Sequence, residues 1–522
     1  MRQLDTLCGA PMETGRFLRL SAGIAAALAE MHSRNIIHEH IEPRNILVDP
    51  ETSAVKLTGF PATSLLQQEH PISTPPRNIE TMPAYMSPEQ TGRMNRAVDY
   101  RTDLYSLGVT FYEMLTGTLP FQGGDIMEWV HCHIARIPRP PTEVIPEIPE
   151  MLSDIVMKLL AKDPEERYQT ASGLQYDLEK CLEQWQDGKE IEPFPLGEWD
   201  ISDRLMIPQR LYGRERDINA LLSAFDRVVE SGTPQMVMVA GYSGIGKTSL
   251  VRELYRPVVR EHGYFISGKF DQYKREIPYS TIVEAFREMI RLILTESEER
   301  IAEWKRLIQE ALGINGQLIV DIIPQAELII GPQPPVPELP LTETQYRFNM
   351  SFRQFVSVFA TKEHPLVVFL DDLQWVDSAG LKLLEYIITH PDTRYLLLIG
   401  AYRDNEVSPS HPLTSALDNI RKQRTILRTI TLSPLSFGDL SRLMADSFRA
   451  ELEMVEPLTR LVHDKTAGNP FFAIQFLKTL TDERMVEFDG TKRLWKWDIT
   501  RIQAKGYTDN VVDLMVGKLR KF

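Results

Sequence analysis

The spacing of hydrophobic positions changes character along this chain. Between residues 17 and 32, Leu18, Ile24, Ala27, Leu28 and Met31 recur at the three-to-four interval of one helix face. Stretches 102–115 and 151–160 also read as helices, so residues 1–186 form a helix-rich block. Residues 187–210 then bring Pro193, Pro195, Gly197 and Pro208, a density that resists regular structure and marks a linker. Past a helical stretch at 217–229, short apolar runs of strand length appear at 236–240, 264–268, 366–370 and 395–401, alternating with helical segments. That alternation predicts an α/β domain over 211–432, a parallel sheet with helices on both faces. The proline-rich stretch 333–341 reads as a loop. From residue 434 the pattern turns helical, giving a smaller lid or accessory domain over 433–522. Residues 510–522 read as a helix with no closing element, which suggests a fragment of a longer chain.

Composition narrows the function classes. At 522 residues the chain is long enough for roughly three or four domains. A formal net charge of −14 leaves no basic surplus for neutralising phosphate backbones, so no nucleic-acid partner is expected. Cys8, Cys132 and Cys181 lie far apart, which points to a reducing, cytoplasmic compartment and not to a disulfide framework. In His131-Cys132-His133, adjacent helical side chains diverge by about 100° and do not converge on one ion. No apolar run approaches the roughly 20 residues of a membrane span, and the N-terminus has no secretory signal.

The most specific chemistry is Gly241-Tyr242-Ser243-Gly244-Ile245-Gly246-Lys247-Thr248, a P-loop between an apolar run and a helical segment. Its glycines let the backbone curl so that N–H groups point at phosphates. The cofactor-binding set is Gly241, Ser243, Gly244, Ile245, Gly246, Lys247 and Thr248: Lys247 reaches the β- and γ-phosphates of ATP, and the Thr248 hydroxyl ligates Mg²⁺. The second element is Val367-Val368-Phe369-Leu370-Asp371-Asp372, an apolar strand ending in two carboxylates, the Walker B arrangement. Asp371 is expected to hold Mg²⁺ through water, and Asp372 to orient or deprotonate the attacking water.

These residues carry a resemblance. Leu370-Asp371-Asp372-Leu373-Gln374-Trp375-Val376-Asp377 resembles the signal-transduction ATPases with numerous domains, the STAND branch of the AAA+-related NTPases. Gly213-Arg214-Glu215 matches that family's motif near the adenine. Tyr402-Arg403-Asp404-Asn405-Glu406-Val407 follows the sensor strand, which makes Arg403 the implied γ-phosphate sensor. Gly468-Asn469-Pro470-Phe471-Phe472 matches its G-x-P motif, with Pro470 near the base. The resemblance implies a slow switch in which ATP and ADP stabilise different arrangements of core and lid. A nucleotide-dependent oligomer is compatible with it.

The N-terminal block resembles the C-lobe of serine/threonine protein kinases. Ile36-Ile37-His38-Glu39-His40-Ile41-Glu42-Pro43-Arg44-Asn45-Ile46-Leu47 aligns with the catalytic loop H-R-D-L-K-P-x-N. Ser87-Pro88-Glu89, Asp99 to Gly108 and Asp163 to Tyr168 follow in the family order, and Glu89 with Arg167 is the implied buried ion pair. The catalytic positions depart from the pattern. His40 stands where the proton-accepting aspartate belongs, Glu42 replaces the loop lysine, and Gly59-Phe60-Pro61 replaces the metal-binding D-F-G. Met82 replaces the activation-segment threonine, and Asn45 alone survives of the metal-site residues. No Gly-rich loop or strand lysine can be placed before residue 17, so the N-lobe is read as missing. A pseudokinase is the expectation.

A kinase domain followed by such an ATPase resembles the large bacterial hybrid sensor kinases, in which sensing and histidine kinase domains follow. The partners implied are signalling proteins or output domains C-terminal to this sequence. Three functions stay open at this point: a signalling ATPase switch with an inactive kinase-like domain, an active serine/threonine kinase, or a scaffold that binds nucleotide without turnover.

Overall fold

The computed structural model describes residues 1–49, 52–60, 83–272, 278–337, 340–423 and 425–504. Pro61, Met82 and the stretch 510–522, each given a reading above, lie outside the described residues. The chain forms two compact units: Met1–Gln209 with Phe488–Leu494, and Arg210–Glu487 with the described residues from Trp495 onward.

In the first unit, β1 (Arg2–Gln3), β2 (Ile46–Val48) and β3 (Val55–Leu57) make a small antiparallel sheet. Among the described residues this unit also holds six α-helices: α1 (Thr14–Ser33), α2 (Arg101–Thr116), α3 (Ile126–Ile134), α4 (Pro141–Val144), α5 (Glu150–Leu159) and α6 (Ala171–Gly188). Helix α1 starts ahead of its apolar periodicity because the Glu13 carboxylate accepts from the N–H groups of Gly15 and Arg16. Helix α2 is buried along nearly its whole length, and its buried polar residues are bonded inside the lobe, Thr102 to Glu89 and Asp103 to the backbone of His38 and Glu39. At its closest approach to α5, a Cβ on Gly108 would lie 2.7 Å from the Leu159 Cβ, so glycine sets how near the two helices come.

The proline-rich stretch after α6 has no helix or strand up to Glu215, yet it is not a free tether. Phe194 and Leu196 pack on the core of the first unit. The Asp200 carboxylate accepts from the Gln169 N–H at 2.5 Å and the Thr170 hydroxyl at 2.8 Å, and the Gln209 side chain accepts from the Ala97 N–H at 2.7 Å. Proline excludes ladder hydrogen bonds without preventing side-chain packing, which is why composition alone suggested a looser segment.

The second unit is built on five parallel strands: β4 (Gln235–Ala240), β5 (Tyr264–Lys269), β6 (Leu366–Asp371), β7 (Leu396–Tyr402) and β8 (Ile426–Thr431), in the order β5-β6-β7-β4-β8. Every residue of β4 and β6 is buried, as a sheet covered on both faces requires. Helices α7 (Glu215–Ser231), α8 (Lys247–Arg252) and α9 (Tyr255–Arg260) belong to the core against one face, formed with Leu221, Phe225, Val237 and Val239. The other face is covered by a larger core drawn from α10 (Ser280–Ile293), α11 (Glu298–Leu312), α12 (Gly316–Ile322), α13 (Glu327–Ile330), α14 (Leu341–Phe359), α15 (Ser378–Thr389) and α16 (Pro412–Lys422). After the sheet come α17 (Phe437–Phe448), α18 (Leu452–Thr466) and α19 (Pro470–Asp482). A hairpin of β9 (Val486–Asp489) and β10 (Leu494–Trp497) follows, then α20 (Ile499–Ala504).

Four of the five strands coincide with the apolar runs. The fifth, β8, was not foreseen: as an edge strand it buries only Ile430 and so leaves little hydrophobic signal. In the strand order, β4 and β6 flank β7, so the loop after β4 and the acidic end of β6 emerge at the same carboxyl edge of the sheet. In open α/β sheets, ligands bind in the crevice outside that edge.

Candidate functional site

The loop after β4 turns through glycines that side-chain-bearing residues could not replace without strain. Gly246 has φ +99° with nothing near a hypothetical Cβ, so its requirement is conformational. Gly244 has φ +74°, and a Cβ there would lie 2.9 Å from the Cβ of Phe471. Lys247 is buried, and its ammonium donates to the carbonyls of Gly241 at 2.7 Å and Tyr242 at 2.9 Å. Burial pulls its pKa below the usual lysine value, opposed by the nearby charges of Asp371 and Asp372. The Thr248 hydroxyl donates to Asp371 Oδ2 at 2.7 Å, joining the loop to the end of β6 across 123 positions of sequence.

Asp372 sits in the left-handed region at φ +55°, immediately after β6. Its Oδ1 accepts from Gln374 Nε2 at 2.9 Å and lies 3.5 Å from Arg403 Nε; its Oδ2 lies 3.6 Å from Lys269 Nζ. Arg403 also bonds Glu406 at 2.7 Å, while its backbone N–H donates to Gln374 Oε1 at 3.2 Å. Gln374 thus ties the Asp372 carboxylate to the segment that carries Arg403.

The helical region after β8 reaches the same loop. Asn469 donates through Nδ2 to the Ser243 carbonyl at 3.0 Å, and the Phe471 N–H lies 3.3 Å from the Gly244 carbonyl it donates to. The Asn469 side-chain oxygen caps α19 by accepting from Phe471 and Phe472, and Pro470 opens that helix, where a missing N–H costs nothing. Arg214 donates to the carbonyls of Ser433 and, at 3.5 Å, Ile245; burial holds its pKa below the usual arginine value despite Asp217 and Asp439.

These residues fit ATP with Mg²⁺. Among the described residues, no group of three or more His, Cys, Asp or Glu is placed to hold a metal alone. One hydroxyl and one carboxylate, Thr248 and Asp371, form the sparse set that Mg²⁺ takes when phosphates and water complete its shell. In the His131-Cys132-His133 run, the His133 ring bonds the Tyr105 hydroxyl at 3.0 Å and the Pro83 carbonyl at 2.9 Å.

In the first unit, Asp103 accepts the backbone N–H groups of His38 at 2.8 Å and Glu39 at 2.7 Å, and His32 Nε2 at 2.9 Å, fixing the 38–45 loop. Arg167 and Glu89 form a buried bidentate pair at 2.7 and 2.9 Å. Asn45 donates to the His40 carbonyl at 2.9 Å, and its carboxamide fills the place a Cβ on Gly59 would take. Burial raises the pKa of Glu42, only partly offset by Arg44.

Residues 8–178 match the protein kinase domain family and residues 210–399 the AAA ATPase domain family. The chain joins a protein kinase domain to an AAA ATPase domain. It is 33% identical over 521 residues to hybrid signal transduction histidine kinase G of Dictyostelium discoideum, covering 84% of this chain and 15% of that protein. A peroxide stress-activated histidine kinase of Schizosaccharomyces pombe is 23% identical over 570 residues, covering 92% of this chain and 24% of its own length. The kinase domain alone is 40% identical over 157 residues to a probable serine/threonine-protein kinase of Clostridium perfringens, covering 30% of this chain and 22% of that protein. The chain therefore spans less than a quarter of the length of each of these relatives.

In the second unit, the P-loop residues, Asp371, Asp372, Arg403, Arg214 and Pro470 are gathered around one loop, as the distances above show. His40, Glu42, Asn45 and Gly59 of the kinase domain share a second small region. Two neighbours of Asp372 were missed. Gln374 lies inside a quoted motif without a role, and Lys269 belongs to no motif; its proximity depends on β5 pairing with β6. Among the described residues no helix is long and apolar enough to cross a membrane.

Proposed function

We propose that this chain works as a nucleotide-dependent switch of the STAND type, with the P-loop as its working nucleotide site and a kinase domain that no longer transfers phosphate. The observation that carries the first part is the 2.7 Å bond between Thr248 and Asp371 beside a buried Lys247. Lys247 supplies a fixed positive charge for the outer phosphates, and Thr248 with Asp371 supplies the Mg²⁺ ligands. Mg²⁺, when bound, shields the charge of the β- and γ-phosphates. Asp372 is the candidate for orienting water, yet both of its oxygens already face partners: Gln374 and Arg403 on one, Lys269 on the other. The Lys269 contact is the long and exposed one, so the oxygen facing it is the one that would orient water. The contacts of Asn469 and Phe471 with the P-loop support a lid over residues 433–522 that responds to what the loop holds. That lid would follow a core at 211–432 and a strap at 187–210.

For the kinase domain at 1–186, the support lies in which positions persist. Asp103, Glu89 and Arg167 keep the bonds that brace the lobe. His40 puts an imidazole where the aspartate belongs, Glu42 and Gly59 remove the phosphate-supporting cation and a metal carboxylate, and electrostatic stabilisation is usually the largest catalytic contribution. We assign this domain a protein-binding role, in the cytoplasm, with signalling proteins as partners. The test is Lys247→Ala in the full chain. ATP binding should vanish, and with γ-labelled ATP neither this variant nor the unaltered chain should label a generic serine/threonine substrate. Transfer by the Lys247→Ala chain would establish an active kinase instead.

A further inference from the structure

Among the described residues, Lys269 is a cation beside Asp372 to which the P-loop, the Walker B pair and Arg403 give no role. Lys269 is the last residue of β5, in register with Asp371 of β6. Its backbone is fixed on both sides. The following N–H, of Phe270, donates to the Asp371 carbonyl at 3.0 Å, and a Cβ on the preceding Gly268 would lie 2.6 Å from the Thr281 carbonyl of α10. Its side chain, by contrast, is 72% exposed, and its ammonium lies 3.6 Å from Asp372 Oδ2. A pair that exposed is worth little in itself, so Lys269 can leave Asp372 at small cost. Arg403 occupies the opposite oxygen of the same carboxylate and is additionally anchored by Glu406. Lys247 is held by the loop carbonyls. Lys269 is thus the most easily redirected cation of the three.

Resting on the reading that the P-loop binds ATP, we propose that Lys269 is a specificity-determining residue that distinguishes nucleoside triphosphate from diphosphate. Asp372 holds Lys269 and Arg403 on its two oxygens. A third phosphate brings additional negative charge that competes with Asp372 for both cations, and a diphosphate lacks that group. Release of Lys269 also frees the Asp372 oxygen that faces it, so recognition of the triphosphate and readiness of Asp372 to orient water are coupled through one contact.

The experiment is a titration of the full chain with Mg²⁺ and either ADP or the non-hydrolysable AMP-PNP, by calorimetry, for the unaltered protein, Lys269→Met, Lys269→Arg and Lys247→Ala. Lys269→Met should weaken AMP-PNP about tenfold and leave ADP within about twofold, and Lys269→Arg should restore the preference. A general distortion of the site would move both nucleotides together, so an equal loss for both overturns the proposal, as does no change in either. If the unaltered chain binds neither nucleotide, or Lys247→Ala binds both, the ATP reading itself fails. If binding depends on Lys247 but the preference survives Lys269→Met, only the Lys269 assignment falls.

Discussion

Replacing Glu89 with Gln isolates the scaffold of the kinase domain from any catalytic role. The Glu89 carboxylate takes Arg167 Nη1 at 2.7 Å and the Thr102 hydroxyl at 2.9 Å on one oxygen, and Arg167 Nη2 at 2.9 Å on the other. The Arg167 guanidinium has no exposed surface, and it also donates to the carbonyls of Ala161, Lys162 and Arg101. Burial raises the Glu89 pKa, but Arg167 outweighs it and leaves the carboxyl below its usual value. Glutamine keeps the volume but presents an amide NH₂ to a guanidinium that needs an acceptor, leaving a buried charge facing only carbonyl dipoles. Breaking such a pair costs about 3–5 kcal/mol, a large share of a domain stability of about 5–15 kcal/mol. Two domains need not unfold in one step, so the assay is hydrogen exchange resolved to peptides from α2 and residues 161–169. Glu89→Gln should lower protection there by that amount while nucleotide affinity at the P-loop is unchanged. A loss under about 1 kcal/mol would refute the assignment of Glu89–Arg167 as the brace of this lobe.

Three further outcomes follow from particular contacts. His133 accepts from the Tyr105 hydroxyl and donates to the Pro83 carbonyl, and burial, then Lys162, push its pKa down to about 3. Because that lies below the unfolded value of about 6.5, its contribution is complete above pH 6.5 and is lost as pH falls toward 3. Exchange protection of α3 should fall by about 2 kcal/mol from pH 7 to 5, and His133→Gln should remove that share of the slope; an unchanged slope would contradict it. Gly244→Ala forces a side chain into φ +74° against Phe471 and should weaken nucleotide binding about tenfold in the same titration, whereas full affinity would show that the loop tolerates a Cβ. Asn469→Ala removes both the α19 cap and the bond to Ser243, costs about 1 kcal/mol, and should speed exchange at the start of α19; unaltered exchange there would argue against a lid contact.

The sequence displayed the sheet where strands are buried on both faces and hid it where they are not. Runs such as Met236 to Ala240 stand out because both sides of β4 are apolar, while β8 shows an almost polar face. The helical segments between β5 and β6 were legible only as part of the alternation, although in α10 Ile282, Val283, Phe286, Met289, Ile290 and Ile293 carry helical spacing. The P-loop and the acidic end of β6 were legible because each is a local motif with a mechanical requirement. Lys269 was not, because its nearness to Asp372 is a product of strand order, which periodicity does not encode. The proline-rich stretch was legible as irregular but not as packed, since Asp200 and Gln209 find their partners only in the folded lobe.

If the P-loop is the working nucleotide site of this chain, calorimetric titration with ATP and Mg²⁺ should give a single nucleotide per chain, lost in Lys247→Ala and retained when His40 and Glu42 are both replaced by alanine. Binding that survives Lys247→Ala, or a second nucleotide abolished by changes at His40 and Glu42, would contradict it.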